Sequence, residues 1–150
     1  MPARSLPFVI VGVMSTVAGG LTSAVTASVP SQASAWTVAY LVLVGGVAQL
    51  ALGLGQSALA ATTPSSRLIG IELAAFNVGN AAVIVGTLLG IPLIVDAGGA
   101  LLLVALALFV WGVRGNSHRA RLVLYGYRFV ALVLLVSIPI GLTLAHIRAA

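Results

Sequence analysis

Residues 68–95, LIGIELAAFNVGNAAVIVGTLLGIPLIV, decide the fold class of this chain. The stretch is apolar for longer than the roughly 20 residues that cross a bilayer as a helix, yet it contains Glu72, Asn77 and Asn80. An ionisable side chain in hydrocarbon costs about 2.5–3.5 kcal/mol on membrane-insertion scales. Glu72 therefore requires a partner, a proton or water, and we expect its helix to face other helices rather than lipid alone.

Small residues recur on the Glu72 side of this helix. At about 100° per residue, Gly79, Gly86 and Gly90 lie on the same side as Glu72. Small residues at this spacing let another helix backbone approach closely. We therefore interpret the segment as the central helix of a bundle, packed through these three glycines.

The composition excludes an ordinary soluble domain. The 150 residues are 61% hydrophobic and 6% charged, whereas soluble domains are about 25% charged. The mean hydropathy is +1.21. The chain contains no cysteine, which excludes a disulfide framework and thiolate chemistry. Arginine without lysine, with abundant Ala, Val, Gly and Leu, is typical of a GC-rich bacterial genome, so we expect a bacterial cell-membrane protein.

The apolar runs predict an all-α, polytopic transmembrane bundle of five helices that forms one domain over residues 1–150. The long run after residue 68 is divided at Gly90-Ile91-Pro92, because glycine suits a helix C-terminus and proline suits the first turn of the next helix. The predicted helices cover residues 6–28, 35–60, 68–89, 93–113 and 122–145.

A cleaved signal peptide is the alternative for the first 35 residues. Arg4, an apolar run and Ala33-Ser34-Ala35 together resemble such a peptide. The candidate cleavage site, however, lies far beyond the end of the apolar run, which favours a retained first helix. The other four helices keep the same direction in either case.

The arginines predict the orientation of the bundle. With five helices, the N-terminal tail and the second and fourth loops lie on one side of the membrane. Those segments contain Arg4, Arg67, Arg114, Arg119 and Arg121. The positive-inside rule then places the N-terminus in the cytoplasm and the C-terminus outside. It also explains the pI of about 11.3 without nucleic-acid binding. Arg114, Arg119 and Arg121 are expected to contact lipid head groups, at about 1 kcal/mol each.

Polar side chains within the predicted helices form two candidate layers when depth is counted at 1.5 Å per residue. The candidates are Glu72, Arg128 and Gln56 toward the cytoplasmic side, and Gln49, Asn77 and Asn80 near the midplane. Glu72 and Arg128 have opposite charges at similar depth, so we expect an ion pair. The alternative is that Arg128 extends to the membrane surface. The layers either fix the register of the helices or line a pathway for a proton, ion or small solute.

The sequence contains no motif for a catalytic site, cofactor or metal ion. Glu72 and Asp96 lie on opposite sides of the predicted membrane, so they cannot act as an acid–base couple. His118 and His146 are predicted to lie about a membrane thickness apart, which excludes a shared haem. Phosphate-binding loops, zinc-protease helices and the GxSxG motif are missing from the sequence. These observations disfavour enzymatic activity.

Two functions fit these features. The first is an accessory or scaffold protein, or an oligomeric component, that packs against itself or another membrane protein within the lipid bilayer. The second is an oligomeric transporter or channel that uses the layer around Glu72. A dry, paired Glu72 would favour the first function, and an aqueous cavity that reaches Glu72 would favour the second.

Overall fold

A computed structural model describes residues 4–60, 62–113 and 121–149, which form helices and short connections without strands. Five helices are long and apolar enough to cross a membrane, and this part of the prediction is confirmed. They are α1 Leu6–Thr26, α2 Gln32–Leu59, α3 Ser66–Leu89, α4 Pro92–Gly112 and α5 Arg121–Ala149. Their bounds differ from the predicted ones by up to four residues.

Serine caps explain the early starts of two helices. In the turn before α2, the Ser31 hydroxyl accepts a hydrogen bond from the Ser34 backbone N–H at 3.0 Å, and the Ser34 hydroxyl accepts one from the Ser31 N–H at 3.0 Å. This reciprocal capping box satisfies two free N–H groups and starts the helix before residue 35. The Ser65 hydroxyl similarly accepts from the Leu68 N–H at 3.2 Å at the start of α3.

The middle of α2, Leu41–Ala48, is a π-helix between two α-helical segments. This wider turn lies where α1 comes close. A Cβ atom added to Gly46 would overlap the Thr16 side chain and would lie 3.3 Å from the Gly12 carbonyl oxygen. Helices α1 and α2 therefore pack backbone against backbone.

Glycines also bring α3 and α4 together. A Cβ atom on Gly79 would lie 3.0 Å from the Gly98 carbonyl oxygen, and one on Gly86 would lie 2.8 Å from Val95 Cγ2. Gly90, which was expected in the same packing row, has a different role. Its φ of 66° is left-handed and ends α3, and a Cβ there would meet no atom within 4 Å. Gly90 therefore forms the turn rather than the helix contact.

The core is shared among several helices. Phe8 of α1 and Phe76 of α3 both pack on Phe109 of α4, with ring centroids 5.4 and 6.2 Å apart. The interpretation of α3 as the central helix needs correction. Helices α2 and α4 each bury 39% of their most apolar 18 residues inside the bundle, whereas α3 buries 33% of its own. Glycines of α2 and α4 also admit neighbours other than α3, since a Cβ atom on Gly53 would overlap Phe8 of α1 and one on Gly99 would lie 3.0 Å from Leu142 of α5.

The outer surface is apolar and the two ends of the bundle differ. Large side chains such as Leu122 and Val25 are 85% and 80% exposed, which suits contact with lipid rather than water. At one end, the Arg4 guanidinium donates to the Pro64 carbonyl oxygen in the α2–α3 loop. We call this the Arg4 end. The opposite end holds the α3–α4 turn, and we call it the turn end.

Candidate polar site in the helical bundle

Glu72 and Gln56 meet inside the bundle, in the half nearer the Arg4 end. The Glu72 residue is 0% exposed and Gln56 is 2% exposed. Gln56 Nε2 donates a hydrogen bond of 2.7 Å to Glu72 Oε1. Glu72 Oε2 has no hydrogen-bond partner among the described residues. Because a buried hydrogen bond to a carboxyl group is among the stronger ones, this contact joins α2 firmly to α3.

The Gln56 amide also rests against α4. A Cβ atom added to Gly112 would lie 2.6 Å from Gln56 Nε2. Only glycine at this position leaves the amide in place without a shift. Gln56 therefore brings α2, α3 and α4 together, and Gly112 is a site residue that the sequence analysis did not identify.

The expected pair between Glu72 and Arg128 is wrong in this structure. Arg128 is exposed on α5, whereas Glu72 is fully buried. Within the described residues, the contact between oppositely charged side-chain types joins Asp96 to His146 instead. The expectation rested on depth along the helices, which does not determine how α5 is rotated about its axis. That rotation turns Arg128 away from Glu72. Tyr127, one residue earlier and 100° away, is the side chain that faces the core. Its hydroxyl donates to the Phe109 carbonyl oxygen at 2.8 Å and anchors α5 to α4.

The predicted midplane residues do not bond to one another in the described part of the chain. Gln49 is 0% exposed, and neither atom of its amide has a hydrogen-bond partner there. Asn77 Nδ2 donates to the Leu73 carbonyl oxygen of its own helix at 2.8 Å. Asn80 Oδ1 accepts from the Tyr40 hydroxyl at 2.9 Å, while its Nδ2 has no partner. Three separate environments therefore replace the single expected layer.

The Tyr40–Asn80 bond joins α2 to α3 on the turn side of the bundle. Counting from the helix ends would have placed the two residues together, since Tyr40 is about 12 Å beyond Gln32 and Asn80 is about 14 Å before Leu89. The similar depth of Tyr40 and Asn80 was therefore readable from the sequence, although the sequence did not show which faces of α2 and α3 meet.

A cavity of about 360 Å³ lies beside this bond and reaches toward the turn end. Its walls come from α2, α3, α4 and α5 and are mostly apolar. They include Trp36, Tyr40, Val83, Leu102, Leu134 and Gly141. Glu72, Gln56 and Gln49 do not line it, so the carboxyl group and the cavity are separate features of the bundle.

The charged surface residues have simpler positions. Arg121 is exposed at the start of α5, whereas Arg114 and Arg119, also expected to contact lipid head groups, lie outside the described residues. His146 Nε2 lies 3.5 Å from Asp96 Oδ2, and both side chains are partly exposed. Across the described ranges, no three His, Cys, Asp or Glu side chains come together in a way that could hold a metal ion.

Comparisons of the chain with protein-family models, with curated proteins and with solved structures gave no match.

Proposed function

We propose that this chain is an accessory or scaffold component of a helical membrane assembly, which packs against a second copy of itself or against another membrane protein. The observation that carries the proposal is the closed Glu72–Gln56 contact. Glu72 is fully buried, hydrogen-bonded and apart from the cavity. A polar group in this setting serves to hold helices in register, which is a common use of polar side chains between membrane helices.

The outward face of α3 supports this proposal. Gly70, Ala74 and Ala81 are exposed and lie within about 40° of one another around the helix. Asn77 lies in the same row and is partly exposed, and its one hydrogen bond in the described structure is to its own helix. A row of small residues around an amide suits close contact with a further helix, because the amide then gains a partner in place of hydrocarbon.

Self-association in a bilayer tests the proposal. We would label the purified protein with donor and acceptor dyes at the C-terminus and measure energy transfer in liposomes as the lipid-to-protein ratio rises. We expect transfer above the level of random proximity, and we expect Ala74→Leu and Asn77→Leu to reduce it. Ala107→Leu is the matched control, because Ala107 is also exposed but lies on α4.

The two forms of the scaffold proposal, packing against a second copy and packing against another membrane protein, differ in one measurement. If transfer stays at the random level while a defined protein co-purifies in mild detergent and is lost with Ala74→Leu alone, the partner is another membrane protein. If neither association is found, or if the control variant Ala107→Leu has the same effect as Ala74→Leu, the outward face of α3 is a lipid-facing surface and the proposal fails.

The proposed location is the bacterial cell membrane, with the N-terminus in the cytoplasm and the C-terminus outside. The distribution of the arginines supports this orientation. The hydrogen bond from Arg4 to the α2–α3 loop supports placing the chain start and that loop on the same side.

An oligomeric transporter or channel is the second candidate function. The observation that favours it is that three buried polar atoms have no partner among the described residues, namely Glu72 Oε2 and both amide atoms of Gln49. Water or a proton that reached these atoms would give them hydrogen-bond partners. Proteoliposomes with a pH-sensitive dye inside test it, because proton flux that depends on the protein and disappears with Glu72→Gln would establish transport in place of scaffolding.

A further inference from the structure

The last turns of α5 make few contacts with the rest of the bundle. Leu134 is buried, whereas none of the residues whose exposure is described after it on α5 is buried. The cavity lies between this part of α5 and the lining residues of α2 and α3. A Cβ atom on Gly99 would lie 3.0 Å from Leu142 Cδ2, so α4 is the helix on which these turns rest. Apolar contact alone stabilises such packing weakly in a bilayer, because lipid chains are as apolar as the side chains they replace.

Pro139 divides α5 into two parts. The first part is anchored, because the Tyr127 hydroxyl donates to the Phe109 carbonyl oxygen at 2.8 Å. Pro139 lies inside the helix and has no backbone N–H, so the Leu135 carbonyl oxygen loses its helical hydrogen bond. A proline at such a position is a usual place for a helix to bend. The part after Pro139 can therefore change its angle while the anchored part stays in place.

A histidine joins the end of α5 to the start of α4. His146 Nδ1 lies 3.0 Å from the Leu142 carbonyl oxygen of the preceding turn, and His146 Nε2 lies 3.5 Å from Asp96 Oδ2. A carbonyl oxygen and a carboxylate only accept, so both contacts are favourable when both ring nitrogens carry a proton. A neutral imidazole has one N–H, and its other nitrogen would then face an acceptor with its own lone pair. The geometry around the ring therefore fits the protonated, positively charged form.

The pair lies directly beside the cavity. Val95 and Ala145, the sequence neighbours of Asp96 and His146, both line it. Among the described residues on the turn side, this is the polar contact that ties α5 to another helix. We propose that His146 and Asp96 form a pH-dependent latch, which holds the last turns of α5 against α4 while the pair keeps its proton and releases them when the proton is lost. Histidine is the side chain whose charge ordinarily changes between about pH 5 and 8, so release is expected as the pH rises through that range.

The other helices around the pair contribute no group that changes its charge over this range. Helices α1 and α2 contain no Asp, Glu, Lys, Arg or His, α3 contains none between residues 73 and 89, and Asp96 is the one charged residue of α4. Tyr40 of α2 lines the cavity, but tyrosine side chains normally stay neutral at these pH values. Arg148 follows on α5, and arginine stays charged throughout. A response to pH at this end is therefore assigned to His146 and Asp96.

Spin labels measure the position of the last turns of α5. The chain contains no cysteine, so Leu93→Cys on α4 and Ile147→Cys on α5 provide two unique labelling sites, both exposed near the turn end. The distance between the labels is measured by pulsed electron spin resonance in phosphatidylcholine liposomes at about pH 5.5 and about pH 8.5. We expect a short, narrow distance distribution at the lower pH. At the higher pH, a longer component should be about twofold to fivefold more populated, as expected for the loss of one partly exposed ion pair.

Three variants and a second pair of labels test the assignment. Asp96→Asn and His146→Gln each remove one charge, so the longer component should have the same population at both pH values. His146→Arg keeps a positive charge at both pH values and should hold the short distance throughout. The matched control places the labels at Val110 and Val123, which are exposed on α4 and α5 near the Arg4 end. That distance should not respond to pH, because Tyr127 fixes α5 there.

Three results would overturn the proposal. The first is a distance between positions 93 and 147 that is the same at both pH values. The second is a pH response that persists in Asp96→Asn and His146→Gln, because a different group would then be responsible. The third is an equal response of the control labels, because the whole bundle would then change with pH. None of these results depends on a partner for α3, so the latch and the scaffold proposal are tested separately.

Discussion

Gly98→Ala should destabilise the protein, although alanine is the better helix former. A Cβ atom at this position would lie 2.8 Å from the Gly79 carbonyl oxygen and 2.9 Å from the Val83 backbone nitrogen. Both obstacles are backbone atoms of α3, so α3 and α4 have to move apart to reach ordinary contact distances. Such overpacking costs about 1–3 kcal/mol, and a value near the upper end applies because backbone yields less than side chains. The gain in helix propensity is about 1 kcal/mol, which leaves a net loss of about 1–2 kcal/mol.

Gly20→Ala is the control that isolates the contact. Gly20 lies within α1, and a Cβ there would meet no atom within 4 Å, so only the propensity term of about 1 kcal/mol applies and the variant should be stabilised. The free energy of unfolding is measured for both variants by titrating SDS into mixed micelles and following the helical signal. If Gly98→Ala is as stable as Gly20→Ala, the close approach of α3 and α4 does not exist in solution.

The remaining predictions concern the polar site and the orientation. Glu72→Leu and Gln56→Leu should each lower the free energy of unfolding by about 1–3 kcal/mol, because each leaves a buried polar partner unpaired. The double variant should lose less than the sum, and strictly additive losses would show that the hydrogen bond contributes nothing. Arg128→Gln should change stability by less than about 0.5 kcal/mol, as is usual for exposed residues, and a loss matching that of Gln56→Leu would place Arg128 in the core. Reporter fusions should read cytoplasmic after Ser66 and extracellular after Ala149, and a cytoplasmic C-terminus would refute the five-span orientation.

The existence and type of the helices followed from the sequence because hydrophobic length is a one-dimensional property. Each helix of 21 or more residues is visible as an apolar run. The break at Pro92 was visible because glycine and proline have fixed backbone preferences. The boundaries were less predictable, because the early start of α2 depends on a local bond between Ser31 and Ser34 that hydropathy does not detect.

The site was only partly predictable because depth is readable from sequence, whereas the rotation of one helix against another is not. Gln56 and Glu72 were expected at similar depth, and the structure joins them. Arg128 was expected there too, but the buried row of α5 is Tyr127, Ala131 and Leu134. That row was visible in the sequence as an i, i+4, i+7 pattern. Burial of this whole face outweighs the attraction between the charges of Arg128 and Glu72, so α5 turns Tyr127 inward and Arg128 outward.

The two halves of the bundle differ in how closely α5 approaches the other helices. In the half nearer the Arg4 end, the Tyr127 ring packs on Gly55 of α2 and its hydroxyl bonds to Phe109 of α4. In the other half, Gly141 lines the cavity, and a Cβ atom added to it would meet no atom within 4 Å, so the same helix packs more loosely there. Because Tyr127 fixes α5 in the half that holds Glu72, the looser packing of α5 at the turn end leaves the Glu72–Gln56 contact, on which the scaffold proposal rests, in place.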